Sequence, residues 1–595
     1  MNDRRISMKK SIRTALFLCM LAVMIVPVAA QSISEIPSME PEPITEYTIR
    51  FDLNTTADTT DDELFEYEVS GYDEYWQPVT ELKKSVLSVP YSDNAYISAS
   101  ITPPEREGYV FAGWQTRPVV TEEDLVNGVS PYLWLFGTQS NYGDESVVMR
   151  ISEMESLDEN GVGTLYARWV EVKDIATEED LFAIADDLYG AYRLVADIQL
   201  TDEWTPVGLY FSNYEFYMPE WWTYAFRGSF DGNGHSISGL YISGSSVDVG
   251  KYQASDAVWH NDGNRADGCA AMFGAISSAS ISNLTLESPY IDITEDNASH
   301  GDYIYAAPLA AFDMNSAILN VTVINPSVVV ECYDDGISNL SSVFASISGM
   351  IAGGWNDTLT YCNVVGGAVS IYSDTVRSHS GEYYVGGLVG ECYSTMVACY
   401  SSAEIYTTVN DLCEDSEDAE LKVLVGGLSG ASTVTMYSSS DSIITAAVFK
   451  PVGASSVNVG ALSGAQRYLT SSDNALKADI TTDCQLDAEK GSLNVGAACG
   501  QIDVFYALQI LMYTPVASAG VADNSADVTV NGEKIETMIA QVPELDGMPL
   551  GWINKGEYQI VEGYVVPSNI EAVAAKYGSY LPVEYLQDGI IWIQY

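Results

Sequence analysis

The sequence predicts an all-β chain: a right-handed parallel β-helix of about seven or more coils, preceded by a small β-rich module. Three observations carry that expectation. A short phrase, an apolar residue set among glycines and alanines and followed by a Ser-, Thr- and Val-rich run, returns seven times between residues 272 and 500. The clearest copies are Val385-Gly386-Gly387-Leu388-Val389-Gly390, Val425-Gly426-Gly427-Leu428-Ser429-Gly430 and Val459-Gly460-Ala461-Leu462-Ser463-Gly464. A fourth is Val495-Gly496-Ala497-Ala498-Cys499-Gly500, and weaker copies centre on Met272, Leu309 and Ile351. The centres lie 37, 42, 37, 40, 34 and 36 residues apart, a period at which each unit must stack on its neighbour to bury its apolar face. The second observation is a pair of nearly identical hexamers 37 residues apart, Ile281-Ser282-Asn283-Leu284-Thr285-Leu286 and Ile318-Leu319-Asn320-Val321-Thr322-Val323. They read as short strands. The third is the scarcity of helical periodicity, which excludes an α-solenoid, while Gly, Ser and Asn suit tight corners.

Residues 1–30 read as a secretory signal peptide. Arg4, Arg5, Lys9, Lys10 and Arg13 form a basic start, Thr14 to Val28 is apolar, and Val28-Ala29-Ala30 fits a cleavage site. An uncleaved anchor is the alternative, but the run is short against the ~20 residues a membrane span needs. No later stretch has spanning length, so the exported chain is expected to be released or held at the cell surface. Residues 31–44, rich in Pro, Ser and Glu, read as a linker.

Residues 45–171 read as a β-rich module. Tyr47 to Asp52 alternates like a strand, and two aromatic strands follow at Arg106 to Trp114 and Thr164 to Trp169. These landmarks resemble the Listeria–Bacteroides repeat, the internalin B-type repeat of bacterial and archaeal surface proteins. The match runs from Pro104 through Trp114 and from Leu165 through Trp169. This chain departs from the family by extra acidic sequence at 56–85 and 115–160. The resemblance implies a small β-grasp-like module without catalytic residues.

Residues 172–505 read as the β-helix with an N-terminal helix cap. Thr177 can cap a short helix whose Leu181, Ile184 and Ala185 share a face. Tyr192 to Leu200 reads as a buried strand. Between Tyr210 and Phe226, 17 residues hold nine aromatics. Phe230-Asp231-Gly232-Asn233-Gly234-His235-Ser236-Ile237 then leads towards the repeats. This region resembles the GLUG-motif β-helix proteins, in which Gly-Leu-x-Gly recurs once per repeat. Gly387 to Gly390 and Gly427 to Gly430 match in full; the copies ending at Gly464 and Gly500 are degenerate. The resemblance implies a large secreted or surface-attached, adhesin-like protein. Some such proteins accompany an immunoglobulin-cleaving peptidase, whose zinc motif is absent here. Residues 506–595 read as a terminal cap or small appended domain, with an Asn-Gly hairpin at Asp527 to Ile535.

Chemistry is sparse in the sequence. His235, His260, His300 and His379 form no metal-ligand spacing, and no nucleophile elbow or phosphate loop occurs. His235 reads as part of its turn. The chain has 26 Lys and Arg against 82 Asp and Glu, a net charge of −56. Such a polyanion repels nucleic acid and anionic lipid and attracts divalent cations. Asp334-Asp335, Glu414-Asp415 with Glu417-Asp418, and Asp262-Gly263-Asn264 read as solvated loops or loose calcium sites; none follows the EF-hand order. No cofactor is expected.

Nine cysteines are present, and Cys19 lies in the signal. Cys362 and Cys399 each follow a centre by eleven residues, so stacking brings them together either as a disulfide or as two thiols. Sequons occur at Asn54, Asn283, Asn297, Asn320, Asn339 and Asn356. Asn283 and Asn320 occupy matched repeat positions and read more strongly as a stacked asparagine ladder.

The sharpest binding candidates are Tyr210, Tyr214, Tyr217, Trp221, Trp222 and Tyr224, whose flat faces suit stacking on sugar rings. A loop packed on the N-terminal module or over the helix end is the alternative. The expected function is that of an exported, non-enzymatic, adhesin-like protein binding glycans or surface proteins. The competing expectation is a β-helix polysaccharide lyase or glycoside hydrolase, which needs a carboxyl pair ~5–9.5 Å apart or a basic catalyst.

Overall fold

The computed structural model describes residues 45–54, 66–72, 78–84, 86–91, 104–115, 151, 157–209, 225–245, 268–295, 303–333, 343–375, 381–411, 420–432, 434–449, 451, 453–466, 470–472, 474–502, 520–522, 524–541, 558–561 and 564–567. The expected signal (1–30) and linker (31–44) lie outside them. The described chain is a right-handed parallel β-helix. Each coil passes through three parallel sheets. Strands ahead of the phrase, from Gly268–Ala270 to Gly491–Gly496, form a 7-stranded sheet that marks about six turns. Strands after the phrase, from Phe273–Ser277 to Cys499–Ile502, build the second sheet. The third, 15-stranded sheet holds the long strands Ser439–Phe449 and Ala475–Gln485.

The interior follows from strand alternation. Burial along Ser439–Phe449 switches at almost every residue, so one side chain in two points inward. Parallel register then places like on like: Ile291, Val328, Val369, Ile405, Ile444 and Ile480 stack one above another, all buried. β-branched side chains lose little rotamer freedom on a pleated surface, which suits them to such a column.

The phrase glycines are fixed by space. A Cβ on Gly386, Gly426 or Gly496 would collide with the carbonyl oxygen three residues on, at Val389, Ser429 or Cys499. A Cβ on Gly430, Gly464 or Gly500 would lie 2.7, 2.5 or 2.6 Å from the amide nitrogen of Val385, Val425 or Val459 in the preceding coil. The first glycine therefore permits the tight turn. The last lets one strand lie directly on the backbone of the coil before it. Between them Leu388, Leu428 and Leu462 enter the core, wholly buried. Outside that core Tyr384, Leu424, Ala431 and Ala465 form a thin second apolar layer.

The third centre shifts by one residue from its expected place. Ile351 pairs with Val389, so Met350 is the residue stacked between Leu309 and Leu388. Met350 and Ile351 are both apolar and both buried, which leaves the sequence with no contrast to choose between them.

Corners carry their own ladder. Asn283, Asn320, Tyr361, Ala398 and Tyr437 occupy matched positions with φ between 52° and 55°. Asparagine tolerates this left-handed conformation; tyrosine and alanine adopt it under the constraint of the coil. Asn320 Nδ2 donates to Asn283 Oδ1 at 3.0 Å, which is the expected asparagine ladder. One corner position later along the coil, the Ser438 hydroxyl accepts from the amide of Cys399 at 3.0 Å. Asn474 Oδ1 accepts from the amide of Ser438 at 2.8 Å, and Asn524 Oδ1 from that of Asn474 at 2.9 Å.

At the N-terminal end, the helix Glu178–Phe182 has the expected cap: Thr177 and Asp180 form a reciprocal capping box. Leu181 and Ile184 are buried, but Ala185 is exposed. After Phe182 the chain tightens into a 3₁₀ turn, and three residues per turn rotate Ala185 off the buried face. The expected strand Tyr192 to Leu200 is two short ones, Ala191–Leu194 and Ile198–Gln199, with a corner between.

The module is a mixed sheet. Glu46–Asp52 pairs antiparallel with Val86–Pro90 and parallel with Val162–Ile175, whose other edge takes Tyr109–Gln115. Its aromatic landmarks form the core: Phe51 and Phe111 pack edge-on against buried Trp114, at 4.9 and 5.2 Å between centroids. The described residues do not extend to the helix that a β-grasp requires. The 14-residue strand Val162–Ile175 continues into the β-helix, where Val172 to Ile175 pairs with Ala191–Leu194. The expected boundary at 171/172 thus falls inside one strand. At the other end, Gly520–Ala522, Ser525–Val530 and Ile539–Gln541 extend the stack beyond residue 505. The hairpin at Asn531-Gly532 forms, with both residues at positive φ.

Gly430→Ala is expected to destabilise the protein by about 1–3 kcal/mol or more, because the added methyl meets backbone that cannot step aside. Urea unfolding measures it, and a variant as stable as the parent would remove the packing role of that glycine.

Candidate functional site

The outer face of the 15-stranded sheet carries ordered aromatics. Side chains alternate, so in Tyr290-Ile291-Asp292 the tyrosine and aspartate share the outer face while Ile291 is buried. Tyr290 Oη donates to Asp292 Oδ2 at 2.9 Å. Two further pairs repeat the device in reverse order: Tyr333 donates to Glu331 at 3.0 Å and Tyr406 to Glu404 at 2.6 Å. Tyr241 stacks on Tyr290 from the neighbouring coil, 5.6 Å between centroids and 13° from parallel. Tyr333 and Tyr372 approach to 5.7 Å. Tyr241, Tyr290, Tyr333 and Tyr406 are between 38% and 42% exposed, a row of large aromatics open to solvent on one sheet face. Hydrogen bonds from these hydroxyls to the carboxylates raise the pKa of Tyr290, Tyr333 and Tyr406 above the ordinary phenol value. The phenols therefore remain protonated donors. Flat rings, held at fixed tilt and edged by carboxylates, can stack on apolar sugar faces and accept sugar hydroxyls. The spacing of tyrosine and acid two residues apart was the available sequence signal.

A second cluster lies inside the coil. Asp313 is wholly buried beside Ser316 and Asp357, and Asp357 is 1% exposed. Asp313 pairs across the sheet with Gly354, and a Cβ on Gly354 would collide with the Asp357 carboxylate. Asp357 thus fills the place of the missing side chain, one coil along from Asp313. The amide of Ser316 reaches Asp357 at 3.4 Å, while no donor of good geometry reaches the Asp313 oxygens. Burial dominates and pushes Asp313 up to about 7, against the weaker opposing pull of Ser316 and Asp357. Sealed from solvent, this carboxyl pair is out of reach of a glycosidic bond.

The other expected residues fall as follows. Tyr210, Tyr214, Tyr217, Trp221, Trp222 and Tyr224 lie outside the described residues, as do His260, His300, His379 and the three acidic clusters. His235 sits in its turn, its amide bonded to Gly232 O and its Nδ1 3.1 Å from Asp197. Cys362 and Cys399 occupy matched positions, both buried and both free thiols, with Sγ directed at main-chain carbonyls. Burial raises the Cys362 thiol well above its ordinary pKa. Among the described residues no group of three or more His, Cys, Asp and Glu is placed to hold a metal ion, and no helix is long and apolar enough to cross a membrane.

No protein-family model matches the chain, and no curated protein does. Among solved structures, a chain named IgA1 Protease is similar at a TM-score of 0.31 and 13% identity, over 91% of this chain and 36% of that one. At that level the likeness bears on neither family nor activity.

Two outcomes are expected. Because Asp313 titrates near 7 when folded and at its ordinary 3.8 when unfolded, its protonated form adds stability below 3.8. That stability is lost as pH rises through the folded value. Asp313→Asn keeps the neutral form, so the variant should melt several degrees above the parent at about pH 7.5 and close to it at about pH 4. Iodoacetamide should leave Cys362 and Cys399 unmodified in the folded protein and alkylate both on unfolding, read by mass spectrometry.

Proposed function

We propose that this chain is an exported, non-enzymatic, adhesin-like protein. It binds glycans or surface proteins of the cell envelope or a host, with the tyrosine face of the long sheet as its contact surface. The observation that supports the reading is the set of outward tyrosines fixed by carboxylates two residues away, on a rigid parallel sheet. The apparent signal peptide supports export. The Gly-Leu-x-Gly phrases and the aromatic landmarks of the module support kinship with GLUG-motif and Listeria–Bacteroides-type surface proteins. The aromatic run joins the proposal through Trp221 and Trp222 as a second stacking region. No cofactor is required, and loosely held calcium is compatible with the acidic surface.

A glycan array with the mature chain tests the reading. Tyr290→Ala combined with Tyr333→Ala should weaken the best glycan by about tenfold, the loss of roughly 1.4 kcal/mol of ring stacking. Trp221→Ala with Trp222→Ala tests the aromatic run in the same way. Unchanged binding in both double variants would remove the glycan sites, and reproducible release of reducing ends would make the protein a polysaccharide-cleaving enzyme instead.

A further inference from the structure

We propose that the outer face of the 15-stranded sheet binds a positively charged glycan, a linear polymer of amino sugars with free amines, laid along one oblique stripe of large side chains. The proposal rests on the glycan-binding reading above and narrows it to one ligand class. Parallel register defines the stripe. Tyr333 pairs with Asp374, and Tyr372 stands two residues before Asp374. Tyr372 pairs with Thr408, and Tyr406 stands two residues before Thr408. Tyr406 pairs with Thr445, and Ile443 stands two residues before Thr445. Each coil thus moves its large side chain back by two residues, which keeps it on the outer face. Tyr333, Tyr406 and Ile443 are exposed, and Tyr372 is half-buried between its neighbours. One step climbs a strand spacing of ~4.8 Å and crosses two residues of ~3.3 Å each, about 8 Å in all, so the four side chains span about 25 Å. A single sugar ring covers a fraction of that length; an extended chain follows it.

Carboxylates border the stripe on both flanks. In the preceding coil Glu331 lies directly beside Tyr372, and Glu404 directly beside Ile443. In the following coil Asp374 lies beside Tyr333. Glu331 and Glu404 each commit one oxygen to a tyrosine hydroxyl: Tyr333 Oη donates to Glu331 Oε2 at 3.0 Å, and Tyr406 Oη to Glu404 Oε2 at 2.6 Å. The second oxygen of each acid is left for a ligand. The four strands that carry the stripe, Ser327–Tyr333, Ala368–Thr375, Glu404–Asp411 and Ser439–Phe449, contain no lysine, arginine or histidine. The face is therefore aromatic and anionic at once. Tyrosine rings stack on the apolar face of a sugar, and rings and carboxylates both attract an ammonium group. A polymer of amino sugars presents ring faces and ammonium groups in one chain. A neutral glycan leaves the carboxylates without an opposite charge, and an acidic glycan is repelled. A cationic peptide has no flat, hydroxylated face for the rings to cover.

Titration calorimetry of the mature chain with defined hexamers tests it, in mildly acidic buffer that keeps the sugar amines protonated. The β-1,4-linked glucosamine hexamer should bind at least about tenfold more tightly than its fully N-acetylated counterpart, and added salt should narrow the difference. Glucosamine itself should bind at least about tenfold more weakly than the hexamer, because it covers one step of the stripe. Tyr372→Ala combined with Tyr406→Ala should weaken the glucosamine hexamer about tenfold or more. Glu331→Gln combined with Glu404→Gln should bring it down to the level of the N-acetylated hexamer. Equal binding of the two hexamers would overturn the inference while leaving the glycan-binding reading in place. A hexalysine peptide that binds as tightly as the glucosamine hexamer would also overturn it, and so would unchanged binding in the tyrosine variant. No binding by either hexamer would overturn it too, and the glycan array then decides the broader reading by itself. The comparison of hexamers uses the unaltered protein and so stands even where a variant fails to fold.

Discussion

Two backbones lying closer than side chains allow is the constraint on which this structure depends. Gly430, Gly464 and Gly500 each set one strand on the amide of the coil before it. Their partners Gly386, Gly426 and Gly496 close the turn that leads there. Remove either approach and the strand after the phrase must lift away, and with it the leucine that plugs the core. The repeat is thus a steric specification more than a hydrophobic one. Apolar residues elsewhere in the coil exchange freely, as in the column where Leu284 and Val321 give way to Cys362, Cys399, Ser438 and Asn474.

That exchange shows how a solenoid tolerates polarity. At this inner corner Ser438, Asn474 and Asn524 each accept from the main-chain amide of the coil before, so the polar side chain satisfies its neighbour's backbone. Asp313 differs in kind. Its companion is another acid, Asp357, and burial outweighs the pull of the neighbouring donors, so the coil holds a proton near neutral pH.

The fold class, the strand-rich coils, the helix cap at Thr177, the asparagine ladder and the Asn531-Gly532 hairpin were legible because each rests on local chemistry or on the period itself. Other features were not. The register of the third centre was ambiguous because Met350 and Ile351 are equally apolar. Ala185 left its face because a 3₁₀ turn has no distinct sequence mark. The tyrosine face could have been read from Tyr290-Ile291-Asp292 and its kin. The Asp313–Asp357 pair could not, since it depends on Gly354 leaving a gap one coil away. The oblique stripe depends on register across four coils, and the junction on a strand that crosses what the sequence presents as a domain boundary.

That shared strand has a mechanical consequence. The module meets the β-helix through Val162–Ile175, a continuous length of backbone with partners on both sides of the junction. No swivel separates the two along it. A tension applied through the module is borne lengthwise by the hydrogen bonds of the strand, all loaded together, and passes directly into the first coil. Under load, the junction works as a tendon and not as a tether.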